Sequence, residues 1–476
     1  MTDIASLSKN KIIFFAITGV VLLGIIVGIG MLGSATPTTK NKAPKELTVW
    51  VVGDESVGFS DIITGFKARY PDYATMEVKV TKFGNYADYE KTLLTVLGDG
   101  NSPDIFVVNG TDSLLESKIL AIPATIINPD EFSKNFNKVF DNLLIENKEK
   151  DASGKEKTIA IKGVPLGYQA MGIFYNWKLI KTVPHLWAEI GRNTRGSVDT
   201  MVTTDTQALP DVPDYADIML LDGRYIPGAS DILSLFFLQN NISSYGNFTE
   251  AGADKAINSY FVFSGNTPLS ASIHIQSIMK DLNLTTVDIF VRGKIGMVIG
   301  FPSLLREIEY AIKRAGTENV LSALNLRTSE IPQISLNPRD AVNLGEYNYF
   351  ALSKLSKNPQ AGYSFLAYLA TGEAEEKYLQ SFPMYLPAQR LQEEMKFSEA
   401  ISKDYERVKY RSFMNSDTDL QIFGKGLKNE YDTYFSQILN IQKDPKSILS
   451  SAIKYIDCNK KHLIDGTSFD EECKIE

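Results

Sequence analysis

The stretch Gly163-Val164-Pro165-Leu166-Gly167-Tyr168-Gln169-Ala170-Met171-Gly172-Ile173-Phe174-Tyr175-Asn176 constrains this chain more than any other. Gly163 and Pro165 punctuate the backbone. The run from Met171 to Tyr175 is short, apolar and partly aromatic, as a buried strand requires, and Asn176 ends it. Together these residues predict a chain that crosses from one lobe to another and then lays down the floor of a cleft. A chain of 476 residues is too long for one hydrophobic core and suits two or three domains.

The flanking sequence predicts an α/β architecture. Leu47 to Val52 reads as a buried strand. Phe59, Ile62, Ile63, Phe66 and Tyr70 fall at helical spacing until Pro71 stops them. Met76, Val78 and Val80 alternate with polar residues, as in a strand. A helix over Ala87–Leu97, a turn over Gly98–Pro103 and a strand over Ile105–Val108 follow. The pattern resumes after Pro165, with helices over 230–240 and around Ala253–Tyr260, and strands over Ile295–Ile299 and Tyr347–Leu352. Ser303 is expected to cap the helix carrying Leu304 and Ile308, and Asn358-Pro359 to open another. Strands alternating with helices predict βαβ units and a mainly parallel sheet. Residues 191–215 lack periodicity and read as a surface insertion; the tail beyond 390 is charged and helical in character.

The N-terminus predicts location. Residues 12–32 are almost wholly apolar, and a helix of that length spans roughly 30 Å, one hydrocarbon core. Lys9 and Lys11 precede it, which favours residues 1–11 in the cytoplasm and the bulk of the chain outside. The apolar core of a cleaved signal peptide is shorter, about 7–15 residues. An uncleaved single-pass membrane anchor over 12–32 is therefore preferred, with Gly33-Ser34-Ala35 the alternative, a small-residue cleavage site. No cysteine stands here to carry a lipid. Residues 33–45, rich in Thr, Pro, Lys and Ser, read as a linker. The only two cysteines, Cys458 and Cys473, lie in the tail. An extracytoplasmic setting permits a disulfide between them, stabilising by roughly 3 kcal/mol in the chain-entropy model; two unpaired thiols are the alternative.

Several function classes fall away. A net charge of −8 with no long basic tract argues against nucleic acid. The 3 histidines (His185, His274, His462) form no metal-ligand pair, so no metal or cofactor is expected. There is no Gly-x-Ser-x-Gly elbow and no P-loop. Gly28-Ile29-Gly30-Met31-Leu32-Gly33 matches a dinucleotide fingerprint but has no strand before it. Adjacent Asp54 and Glu55 would point to opposite faces of an extended segment, which suits poorly the two-sided carboxylate geometry of a glycan hydrolase. An enzyme is not expected. An anchored glycan hydrolase and a sensor domain without transport remain the alternatives.

In order along the chain, Leu47-Thr48-Val49-Trp50, Phe66 to Pro71, Asp88 to Leu93, Ser102-Pro103-Asp104-Ile105, Gly163 to Asn176, Trp187-Ala188-Glu189, Asp231 to Leu235, Gly293 to Met297 and Tyr378 to Pro387 resemble segments of the extracellular solute-binding proteins of ABC importers, in the maltose- and oligosaccharide-binding branch. The resemblance covers roughly residues 46–390. It implies a two-lobe periplasmic-binding-protein-like fold (type II), in which the chain crosses a hinge more than once. Lobe one is then 46–163 plus 348–395, and lobe two 164–347 plus 396–476, with Gly163, Pro165 and Gly345 at the hinge. The implied function is capture of a small solute, a sugar or oligosaccharide, by lobe closure and its delivery to ABC permease subunits. The expected solute-contacting residues sit at the carboxyl ends of strands and at the crossings: Trp50, with a core role as its alternative, Asp54, Glu55, Asn109, Gly110, Thr111, Tyr168, Gln169, Phe301, Ser303, Tyr347 and Tyr385. Asp104 and Tyr175 read as structural. The absent lipidated cysteine and the Cys458–Cys473 tail depart from the family pattern.

Overall fold

The computed structural model describes residues 44–53, 58–112, 115–150, 156–180, 183–193, 218, 220, 225–244, 247–263, 279, 281–322, 325–335, 337, 340–382, 384–390, 419–441, 446–454 and 458. Contacts divide the chain into two units, Met1–Pro44 and Lys45–Glu476. The expected anchor at 12–32, most of the linker, the acidic pair Asp54 and Glu55, and Cys473 lie outside the described residues, as does almost all of the 191–215 insertion. Among the described residues no helix is long and apolar enough to cross a membrane.

Along the chain the strands are β1 (Glu46–Val52), β2 (Glu77–Phe83), β3 (Ile105–Asn109), β4 (Ile119–Leu120), β5 (Ile122–Pro123), β6 (Leu144–Lys150), β7 (Glu156–Ile161), β8 (Val164–Ala170), β9 (Gly172–Asn176), β10 (Met297–Gly300), β11 (Leu326–Ser329), β12 (Val342–Ser353), β13 (Leu386–Pro387) and β14 (Asp419–Gln421). The large sheet runs β13-β8-β12-β3-β1-β2, with β4 and β14 also paired to β12. Two three-stranded sheets, β10-β9-β11 and β5-β7-β6, complete the set among the described residues.

The expectation of a mainly parallel sheet needs correcting. Parallel pairing is confined to β1 with β2 and β3, and to β12 with β14. Helices α1 (Phe59–Arg69) and α2 (Tyr86–Gly98) return the chain to the starting end of β1, on either side of it, and so permit the first two pairs. β12 and β8 arrive after long excursions: β12 runs antiparallel to β3, β4 and β8, and β8 antiparallel to β12 and β13, and the strands of the small sheets are likewise antiparallel.

Local chemistry explains the elements. Leu47, Val49 and Val51 are buried on one face of β1, against Phe59, Ile62 and Phe66 of α1. Asn85 opens α2 by accepting the Asp88 N–H, which satisfies one of the donors a helix start leaves unpaired. Asp104, at the start of β3, accepts from the Thr48 N–H and hydroxyl, the Ser356 hydroxyl and the Asn358 N–H. It welds β1, β3 and the end of β12, as its structural reading expects. Ser303 departs from expectation: it holds the N-cap position of the helix Leu304–Ala315 but makes no side-chain cap bond, because its backbone is already helical (φ −57°, ψ −24°).

Buried apolar residues separate into distinct cores. The first gathers β1, β3, α1, α2 and the helices Pro359–Leu369 and Gly372–Ser381, together with Val164, Leu166, Tyr168, Tyr347 and Tyr349. The second gathers Met171, Ile173, the helices α3 (Ala229–Gln239) and α4 (Glu250–Val262), and Tyr431, Phe435 and Ile438 of the tail helix α5 (Lys428–Ile441). A smaller third core packs Phe174 against Phe290, Val298 and Ile308. The chain leaves the large sheet at Met171, whose N–H donates to the Leu344 carbonyl while its own carbonyl accepts from the Asn343 amide. The residues Val164–Tyr168, expected on the far side of the crossing, thus pack with the first core. A strand in hydrogen-bond register with β12 cannot leave the sheet until its pairing ends, at Ala170 opposite Gly345.

Candidate functional site

The carboxyl end of β3 is where expectation and geometry meet. Asn109 is buried, and its amide is fully engaged: the NH2 group donates to Glu346 Oε1 (3.1 Å) and Asn348 Oδ1 (3.0 Å), while the carbonyl accepts from the Thr111 N–H and hydroxyl. Gly110 lies against the ring of Tyr347, with room for no side chain. Just beyond, Asp112 is buried and accepts from the Tyr86 hydroxyl and, at 2.6 Å, from the Lys428 backbone N–H. Glu90, also buried, accepts from the Asn429 N–H at 3.3 Å.

Opposite stand charges carried by the second core. Lys425, its side chain almost wholly enclosed, pairs with Asp231 at 2.5 Å and Asp432 at 2.6 Å. Lys428 pairs with Asp432 at 2.8 Å and reaches Glu346 on β12 at 3.1 Å. Ser230 donates to Asp432. The result is a continuous polar belt of Tyr86, Glu90, Asn109, Asp112, Glu346, Asp231 and the lysines of the tail, set between the first and second cores.

Electrostatics follow from this enclosure. Burial, with the nearby Asp112 charge, pushes the Glu90 carboxyl up to about 8, against the opposing pull of the Asn429 N–H. Burial raises Asp112 to about 6 even though the Tyr86 hydroxyl and Lys428 favour its charged form. Burial works against the Asp432 carboxylate too, but Lys425 and Lys428 outweigh it and hold the group well below the usual range. One rule covers all three: desolvation raises a carboxyl, and adjacent cations lower it.

The other expected site residues are dispersed. Tyr168 is fully buried, accepts from the Asn137 amide at 3.0 Å and meets Phe140 edge-on. Tyr347 donates to Asn142 and lies against Phe140. Both rings are packed inside the first core. Gln169, one residue on and facing the other way as strand alternation demands, accepts the Ser303 N–H at 3.0 Å. It thereby ties β8 to the start of the helix that follows β10. Phe301 is buried in the second core, and Ser303 is exposed. Trp50 is half-buried with its ring 5.0 Å from Phe83, which suits its core alternative. Tyr385 is half-buried against Tyr378 and Phe382.

The expected hinge residues serve close approach. Any side chain at Gly163 would strike the Phe350 carbonyl and the Tyr349 ring, and one at Gly345 would press on Leu420 and Ile422. Pro165 is buried opposite Tyr349. Cys458 is disulfide-bonded. Among the described residues no group of three or more His, Cys, Asp and Glu could hold a metal ion.

The belt residues that sequence reasoning missed are Tyr86, Glu90, Asp112, Asp231, Glu346, Lys425, Lys428 and Asp432. The i,i+4 spacing of Lys428 and Asp432 is legible as a helix-surface pair. Nothing in it says that the helix start turns back onto β3.

A large mixed sheet, a second body of helices and short strands, and a polar belt between them define a two-core α/β binding architecture. The chain belongs to the bacterial extracellular solute-binding proteins: the model of that family matches residues 61–391. Among solved structures it is similar to the GacH receptor of Streptomyces glaucescens, at 14% identity over 88% of this chain and 98% of that one, with a TM-score of 0.57. It is also similar to the sugar-binding protein MalE of Xanthomonas citri (15% identity, 89% and 100% coverage, TM-score 0.58). A sugar transporter of Rhizobium etli, in an open conformation, is a third likeness (14%, 87% and 99%, TM-score 0.59). No curated protein matches. The fold is thus α/β and periplasmic-binding-protein-like, and the family role is substrate binding.

Proposed function

We propose that this protein captures a sugar or oligosaccharide between two lobes and hands it to an ABC permease. In this reading one lobe carries the first core and the other carries the second. The GacH receptor was solved with acarbose, and MalE is described as sugar-binding. The single observation that carries the proposal to this chain is the belt at the carboxyl end of β3. Carboxyl oxygens of Glu90, Asp112, Glu346 and Asp231 accept hydrogen bonds, and Lys428 donates them. Such paired donors and acceptors match the hydroxyls of a polyol. Asn109, Gly110, Thr111, Tyr168, Gln169 and Tyr347 hold these groups in place. No bond is made or broken; lobe closure is the working motion.

Residues 12–32 anchor the protein in the membrane, residues 33–45 tether it, and a Cys458–Cys473 bond closes the tail. A thermal-shift screen of the full chain against sugars, peptides and polyamines tests the reading, because a specific guest raises the melting temperature by mass action. A carbohydrate response is expected. A response to peptides alone would overturn the assignment.

A further inference from the structure

The tail residues 423–432 change sides twice within ten positions. Phe423 is buried in the second core, Leu427 in the first, and Tyr431 in the second again. Gly426 makes the turn, at φ 80°, a left-handed conformation open to glycine without strain. On the way the segment bonds to the first core's side of the belt as well as to the second core. Lys425 N–H donates to the Thr111 carbonyl (3.0 Å), Lys428 N–H to Asp112 (2.6 Å) and Asn429 N–H to Glu90 (3.3 Å), while Lys428 Nζ reaches Glu346 (3.1 Å). At its other end it is riveted to α3 through Lys425–Asp231, Ser230–Asp432 and Ser234–Tyr431.

From this geometry we infer that residues 423–432 are a latch, which binds the two cores to each other and occupies acceptors that a guest must win. The bonds to Asp112 and Glu90 come from the first turn of α5, whose N–H groups have no partner inside the helix. The positive end of the helix dipole strengthens them. Each is an N–H meeting a carboxyl oxygen, an acceptor that a guest hydroxyl would also seek, so the latch and a polyol compete for the same oxygens. A guest rich in hydrogen-bond donors releases the latch, whereas an apolar or purely anionic guest cannot. This inference rests on the solute-capture reading for its guest, but the latch itself can be read without one.

Hydrogen–deuterium exchange of the full chain without solute provides the test. The amides of Lys428 and Asn429 are expected to be protected by their bonds to Asp112 and Glu90. Asp112→Ala is expected to speed exchange across 424–432 at least about tenfold, the factor that loss of roughly 1.4 kcal/mol of local opening energy produces, and to leave α4 unchanged. Fast exchange of these two amides in the unaltered protein would overturn the latch. So would an Asp112→Ala protein that keeps wild-type protection across the segment. Should the variant fail to fold, the unaltered protein still decides the matter. A screen in which no carbohydrate binds would end the sugar reading and leave this measurement intact.

Discussion

The Lys428 backbone N–H donates to the Asp112 carboxylate at 2.6 Å across 316 residues of chain. The donor opens a helix anchored in the second core, and the acceptor ends a strand segment of the first. The helix start brings an N–H with no partner inside the helix, and Asp112 accepts it beside the Tyr86 hydroxyl. Together they satisfy one another and fix where the tail lies.

Asp112→Ala leaves two donors unmet, the Lys428 N–H and the Tyr86 hydroxyl. Unfolding in urea should show a loss of about 2 kcal/mol. Asp112→Asn keeps an acceptor oxygen and should lose about half as much.

Glu90 gives stability a pH dependence of definite sign. Its folded-state value of about 8 lies above the ordinary 4.5, so the folded protein holds this proton more tightly than the unfolded chain. The contribution is full below pH about 4.5 and is lost as pH rises through about 8. Asp112, raised to about 6, acts in the same direction. Melting temperatures recorded from pH 5 to 9 should therefore fall more steeply in the native protein than in Glu90→Gln. At pH 9 that variant should be more stable by about 2 kcal/mol.

Gly110→Ala tests the wall behind the belt. The added carbon would lie 2.7 Å from the Tyr347 ring, and the ring cannot retreat because Phe140 packs against it and Asn142 holds its hydroxyl. Overpacking should cost about 1–3 kcal/mol in chemical denaturation. Tyr347→Ala added to Gly110→Ala should then cost less than the two single losses combined.

Lys425→Met would strand Asp231 beside Asp432 in a buried setting. Removing one partner of such a pair costs about 3–5 kcal/mol, more than the pair contributes when intact. The double variant Lys425→Met with Asp231→Asn should regain part of that loss in a thermal melt. A double variant no better than the single would contradict the pairing.

The local elements were legible because their causes are local. Helical spacing at Phe59, Ile62 and Phe66 and the stop at Pro71 predict α1, and observed bounds of Phe59–Arg69 agree. Apolar runs mark β1 and β3, and Gly163–Asn176 marks a crossing. Strand direction was not legible. It depends on which edge a returning chain meets, so the sheet is mixed where alternation predicted parallel. Glycine signals close approach as readily as a bend: Gly163 lies against the Phe350 carbonyl, which is far away in sequence, and Val164, Leu166 and Tyr168 after it pack with the first core.

By itself the sequence determined the α/β class and the family, since periodicity, punctuation and ordered motifs are carried by neighbouring residues. Only the tertiary structure decided which polar groups meet there. Asn109 and Tyr168 turned inward to hold the wall, while Glu90, Asp112, Asp231 and Glu346 were drawn together with Lys425 and Lys428 of the tail. A buried charge must find its partner wherever the packing brings one, and distance along the chain sets no limit on that choice.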